Sequence, residues 1–198
     1  QCALLPKDHV IFGTNGPDSH LFGLEPNFGC CTANFNQGWP KFALATFLRS
    51  EKGIVSAALA PASVHTVIDG HAVTCTLETE YPFRNTLRYR IVTDGPVSFE
   101  LKLRIPGCAK SATVNGTVAQ PGTFFVMDQV WSGATEIVVA LEFACETVAR
   151  PRKMQVLWRG PLLYSVAIDE RWEKLEYTRD GVDRKFPYCD YEIYPQSP

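Results

Sequence analysis

From Gly53 onward the hydrophobic residues fall at a period of two, and this rhythm limits the fold more than any other property of the chain. The alternating runs 63–68 and 71–80 are separated by Asp69-Gly70, a dipeptide suited to a two-residue hairpin turn. Residues 54–59 read as a strand before them, and 86–92, 97–105, 112–114, 123–127 and 136–143 as strands after them, each bounded by Gly, Pro, Asn or Asp. Residues 154–158 and 161–168 complete the series. Seven or more short strands at roughly ten-residue intervals, with almost no helix, predict a mainly β chain folded as a β-sandwich. The tail from Asp180 shows no clear period.

The segment before the sandwich differs in kind. Residues 1–29 are rich in Gly, Pro, Asn and Asp and read as loop, whereas 40–49 carry apolar residues at helical spacing with Pro40 suited to a first turn. The expected organisation is an end segment over 1–52, a β-sandwich over 53–170 and a tail over 171–198. With 198 residues, 45% of them hydrophobic, the chain can bury a substantial core. Its 19 basic and 21 acidic side chains are dispersed and leave a net charge of −2, so neither nucleic acid nor an anionic membrane is expected as a partner. No apolar run approaches the ~20 residues of a spanning helix, and the first residues lack a basic, then apolar, leader pattern. The start at Gln1 rather than methionine suggests a processed form or a piece of a longer protein, and nothing in the residues fixes a compartment.

Chemistry is concentrated at two adjacent cysteines, Cys30 and Cys31. A vicinal pair closes poorly into an ordinary disulfide, which needs separated Cα atoms. Two neighbouring thiolates suit a soft metal, or a division in which one sulfur holds and the other attacks; a pair of partly buried thiols without a role is the reading against which this stands. The pair is expected in a loop just before the helix, where exposed N–H groups and the dipole favour a thiolate. The other cysteines, Cys2, Cys75, Cys108, Cys145 and Cys189, bring the count to an odd seven at irregular spacing, which is no disulfide framework. Cys75, Cys108 and Cys145 sit among strand residues and read as small buried hydrophobes. Asn115-Gly116-Thr117 is a glycosylation sequon, although Asn-Gly is better explained as a hairpin turn.

Several phrases follow one another in a fixed order: Gly29-Cys30-Cys31-Thr32-Ala33-Asn34, Glu80-Tyr81-Pro82-Phe83, Leu101-Lys102-Leu103-Arg104-Ile105-Pro106-Gly107, Val114-Asn115-Gly116 and Trp158-Arg159-Gly160-Pro161-Leu162-Leu163-Tyr164. Together, over about residues 20 to 170, they resemble the C-terminal half of glycoside hydrolase family 127, the β-L-arabinofuranosidase type. The resemblance implies that a short loop-plus-helix remnant of an (α/α)6 catalytic barrel precedes the sandwich. It further implies Cys30 as nucleophile, with Cys30 and Cys31 binding zinc together with a glutamate and a third cysteine from further upstream. On this pattern the thiolate attacks an anomeric carbon, a glutamic acid protonates the leaving oxygen, and the outcome is retention. The expected partners are a carbohydrate substrate and the missing N-terminal barrel. The acid/base residue is expected outside this chain, and no substrate-binding residue is assigned within it. Glu25, five residues before Cys30, and Cys2 have no counterpart in the family's ligand pattern.

A non-catalytic β-sandwich that packs on a catalytic domain or binds carbohydrate is the alternative from a different class. It predicts no metal and no thiol of unusual reactivity. Glu78 and Glu80 alternate onto one strand face, as a solvated pair does. His9, His20, His65 and His71 show no metal-ligand spacing. Phe22, Phe28, Phe35 and Trp39 around the cysteines suit either sugar stacking or packing against the barrel. Serine-hydrolase elbows, phosphate-binding glycine loops and Cys-x-x-Cys pairs are absent from the sequence.

Overall fold

A computed structural model of the chain describes residues 29–179, 181–186 and 189–196, with the side chains at 29–33, 35, 179, 182 and 184 outside that description. In order, these residues form α1 (Gly29–Leu44), β1 (Phe47–Ser50), β2 (Gly53–Ser56), β3 (Ala62–Ile68), β4 (His71–Thr79), β5 (Thr86–Arg104), β6 (Ser111–Val114), β7 (Thr117–Ala119) and β8 (Phe124–Glu142). Then follow β9 (Cys145–Ala149), a short turn at Pro151–Lys153, β10 (Gln155–Arg159), β11 (Leu162–Tyr164), β12 (Glu170–Leu175), β13 (Tyr177–Arg179), β14 (Val182–Arg184) and β15 (Asp190–Pro195). The mainly β class expected from the sequence is what the chain adopts.

Two strands of 19 residues, β5 and β8, organise the β domain. They pair antiparallel from Thr86 opposite Ala140 to Arg104 opposite Phe124, with a register shift between Thr93 and Val97. The first half of β5 also pairs with β4 and, through it, β3, while the second half pairs in parallel with β2, which continues into β1. The last residues of β8 pair with β6, itself in a hairpin with β7. The long ribbon therefore passes from one leaf of strands to the other. Leu87, Tyr89 and Ile91 from the first leaf and Phe99, Leu101 and Leu103 from the second share one buried cluster, as a sandwich requires. Tyr89 Oη and Ser56 Oγ, from opposite leaves, make a buried hydrogen bond of 2.8 Å. Trp131 closes the centre: it stacks on Phe99 at 5.3 Å and donates its indole N–H to the Phe99 carbonyl at 2.9 Å.

Turn chemistry follows the sequence closely. Asp69 and Gly70 both have positive φ, 48° and 82°, and so do Asn115 and Gly116, 48° and 81°, as two-residue turns with the twist of their strands require. The Asn115 side chain also accepts a hydrogen bond from the Val138 N–H at 2.8 Å, which ties the β6–β7 hairpin to β8.

Three expectations are corrected. The helix is Gly29–Leu44 rather than 40–49, with Pro40 inside it and residues 47–50 forming β1. Apolar residues at 42, 44, 47 and 48 mimic a helical stripe, but Thr46 ends the helix by donating to the Ala43 carbonyl at 2.7 Å, and 47–50 then gain a full ladder with β2. The separate strands 86–92 and 97–105 are one strand, as are 123–127 and 136–143. Asp94-Gly95-Pro96 marks a register shift instead of a turn, because a missing N–H and a missing side chain are tolerated at such an irregularity. Finally, the tail from Asp180, read as without a clear period, contributes β14 and β15, which pair antiparallel with β13 and β12 before it.

The chain divides into two compact units, residues 36–165 and a second comprising 1–35 with 166–198. No helix among the described residues is long and apolar enough to cross a membrane.

Candidate functional site

The backbone of Cys30 and Cys31 lies in the first turn of α1, so the pair begins the helix instead of occupying a loop before it. Helix formers such as Ala33 and Gln37 follow directly, and Gly29 opens the element. The placement puts both residues where four backbone N–H groups lack intrahelical partners and the dipole is positive, and no acidic residue occupies that first turn to oppose it.

The donor type of the pair fits a soft metal, but two thiolates are half of a tetrahedral set. Among the described residues no group of three or more His, Cys, Asp or Glu converges to supply the rest. Cys2, His9, His20, Phe22, Glu25 and Phe28 lie outside the described residues, as does the Phe35 side chain. Trp39 and Phe42, further along α1, are exposed, as is Leu44 at its end.

The other candidates sort by burial. Cys75 is fully buried in the core, where desolvation pushes its thiol up to about 12 and makes it inert. Cys108 and Cys145, expected to be buried, are exposed, because Cys108 lies in the turn after β5 and Cys145 opens β9, a strand exposed along its length. Glu78 and Glu80 are both exposed, and Glu80 pairs with Arg84 at 3.3 Å, which is a solvated face. His65 Nδ1 is 2.9 Å from Thr74 Oγ1 and His71 Nδ1 is 3.0 Å from Asp94 Oδ1, so both serve strand contacts. The sequence reading missed a cleft between the turn after β5 and the β9–β10 pair, because β9 itself carries no alternating apolar signal.

Residues 54–143 match the family model described as "Beta-L-arabinofuranosidase, GH127 middle domain". Among solved structures, the chain is similar to Ara127N-Se, a GH127 β-L-arabinofuranosidase from Geobacillus stearothermophilus T6, with a TM-score of 0.61 and 20% identity over 88% of this chain and 32% of that one. It is also similar to BT3674, a GH127 β-arabinofuranosidase, with a TM-score of 0.59 and 15% identity over 88% of this chain and 33% of that one. A third likeness, to a protein described as a glycoside hydrolase, has a TM-score of 0.57 and 19% identity over 78% of this chain and 30% of that one. No curated protein matches. The chain thus spans about a third of the length of the structures it matches. These likenesses establish the fold, and the resemblance to family 127 carried by the sequence motifs holds.

Proposed function

From a chain whose β domain is of the GH127 middle-domain type, we propose part of a retaining, zinc-dependent glycoside hydrolase with a cysteine nucleophile, acting on terminal β-L-arabinofuranosyl residues. The observation that carries the proposal is the family-model match over 54–143, which is preceded by the Cys30-Cys31 pair at a helix N-terminus. On this reading residues 1–52 are the end of a catalytic barrel, 53–170 the sandwich and 171–198 the start of a further segment. The rest of the barrel, with the acid/base glutamate and most of the sugar-binding surface, is supplied from outside this chain.

Cys30 Sγ forms the bond to the anomeric carbon while the bond from that carbon to the departing oxygen breaks, and a glutamic acid gives that oxygen its proton. Water, giving a proton to that glutamate, then displaces the sulfur from the opposite face, the one the departing oxygen left, so two inversions give retention. The helix N-terminus helps to hold Cys30 as a thiolate before attack and again as it leaves. Zinc held by Cys30 and Cys31 would supply deprotonation and fixed orientation of the sulfurs at neutral pH.

Cobalt titration under reducing conditions tests the ligand assignment without needing turnover. Cobalt added to the chain is expected to give a thiolate-to-metal charge-transfer absorption that disappears in Cys30→Ser and Cys31→Ser and persists in Cys108→Ser and Cys145→Ser. An absorption that survives loss of Cys30 and Cys31, or none with the intact pair, contradicts the assignment and favours a non-catalytic module.

A further inference from the structure

Two segments distant in sequence meet within the 36–165 unit to form a cleft of about 540 Å³. One wall is the turn after β5, which contributes Cys108 and Lys110. The other is the β9–β10 pair, which contributes Glu146, Val148, Arg150 and Trp158. In the ladder Glu146 stands opposite Trp158, and Val148 opposite Val156. Side chains two apart on a strand share a face, so Glu146, Val148 and Arg150 run in a row beside the Trp158 ring. The Arg150 N–H donates to the Met154 carbonyl at 2.8 Å, which carries the row past the end of the strand.

The composition of this cleft is selective. Trp158 is half-buried and offers an aromatic surface within a concave site, while Lys110, Glu146 and Arg150 are exposed at its rim. Two cations against one carboxylate leave an excess of one positive charge, in a chain whose net charge is −2. Arg152 and Lys153, in the adjoining turn, add to the positive potential there. A ligand matching these features has an apolar ring face for Trp158, one carboxylate for Arg150 and Lys110, and hydroxyl groups to donate to Glu146. A bare anion leaves Trp158 unused, a neutral sugar leaves the cations unmatched, and a doubly charged phosphate confronts Glu146.

We propose that the cleft between the turn after β5 and the β9–β10 pair binds a uronic-acid unit of an acidic glycan without cleaving it. The inference rests on the cleft's own residues and holds whether or not the chain works as a hydrolase. The volume lies within the range of small-molecule sites and suits a short oligosaccharide.

The cleft contains its own reporter. Cys108 is an exposed thiol in its lining, whereas Cys145 is exposed but does not line it. Digalacturonate is therefore expected to slow iodoacetamide alkylation of Cys108 and leave Cys145 unchanged, with peptide mass spectrometry resolving each site and calorimetry giving the affinity. Arg150→Ala and Trp158→Ala are each expected to weaken binding by about tenfold, and added salt to weaken it further. Because Trp158 is half-buried, its variant is read only if its melting curve stays cooperative; Arg150→Ala and Lys110→Ala, at exposed positions, carry the test otherwise. Equal protection by xylobiose overturns the charge argument, and equal protection by adenosine monophosphate overturns the sugar assignment. An absence of both binding heat and protection with digalacturonate overturns the site.

Discussion

At the scale of single residues, burial and partners decide which groups are available for chemistry. Cys75 and Cys30 share a side chain, yet one is sealed in the core with its thiol raised and the other sits in a helix's first turn. The sequence made the second legible, since a vicinal pair has few structural uses. It misread Cys108 and Cys145, because alternation of neighbours was taken for burial, whereas Cys108 lies past the end of β5 and Cys145 opens β9, a strand exposed along its length. Asp94 shows the same dependence on surroundings. The Ala72 N–H, followed by the His71 ring at 3.0 Å, holds the Asp94 carboxyl below its ordinary value of 3.8. A carboxylate with a depressed folded-state pKa takes up its proton later than in the unfolded chain as pH falls. Its stabilising contribution is present above the ordinary value and is lost as pH drops through the folded one. Asp94→Asn is thus expected to flatten the acid limb of stability below about pH 4, as read from urea midpoints across that range. An acid limb identical to that of the parent would contradict the assignment.

At the scale of elements, the turns were the most readable features and the strand ends the least. Asp69-Gly70 and Asn115-Gly116 take the positive φ values that their residue types foretell, since few other residues adopt that region without strain. By contrast, the breaker signal Asp94-Gly95-Pro96 does not reveal whether a chain turns back or merely shifts register, because that depends on the partner strand. The β12–β15 pair was illegible for a related reason. Its strands lie far apart in sequence and hold their aromatic residues by cross-strand contacts, such as Trp172 against Tyr191 at 5.6 Å. The parallel β2–β5 pairing has a sharper requirement. A Cβ on Gly53 would lie 2.1 Å from the Glu100 carbonyl oxygen, and backbone cannot rotate away as a flexible side chain can. Gly53→Ala is therefore expected to cost about 2 kcal/mol or more by chemical denaturation. A change within about 0.5 kcal/mol, typical of surface positions, would show that the pairing tolerates a side chain.

At the scale of the whole molecule, the chain holds a sandwich of two leaves joined by one long ribbon and, earlier in sequence, a helix with two cysteines in its first turn. The fold was legible because period-two alternation records which face each strand buries. The proposed nucleophile rests only on the order of motifs, since neither spacing nor composition distinguishes an attacking thiol from an idle one. The acid, the remaining ligands and the sugar contacts have no signature in these residues, and Cys30 is the point where the account can fail. The deciding measurement is hydrolysis of p-nitrophenyl β-L-arabinofuranoside under reducing conditions with zinc, by the chain joined to the proposed barrel, beside its Cys30→Ser variant. The account predicts turnover that falls by roughly a thousandfold or more in the variant, as loss of a nucleophile does elsewhere. Turnover undiminished in Cys30→Ser, or none in the parent protein, would contradict it.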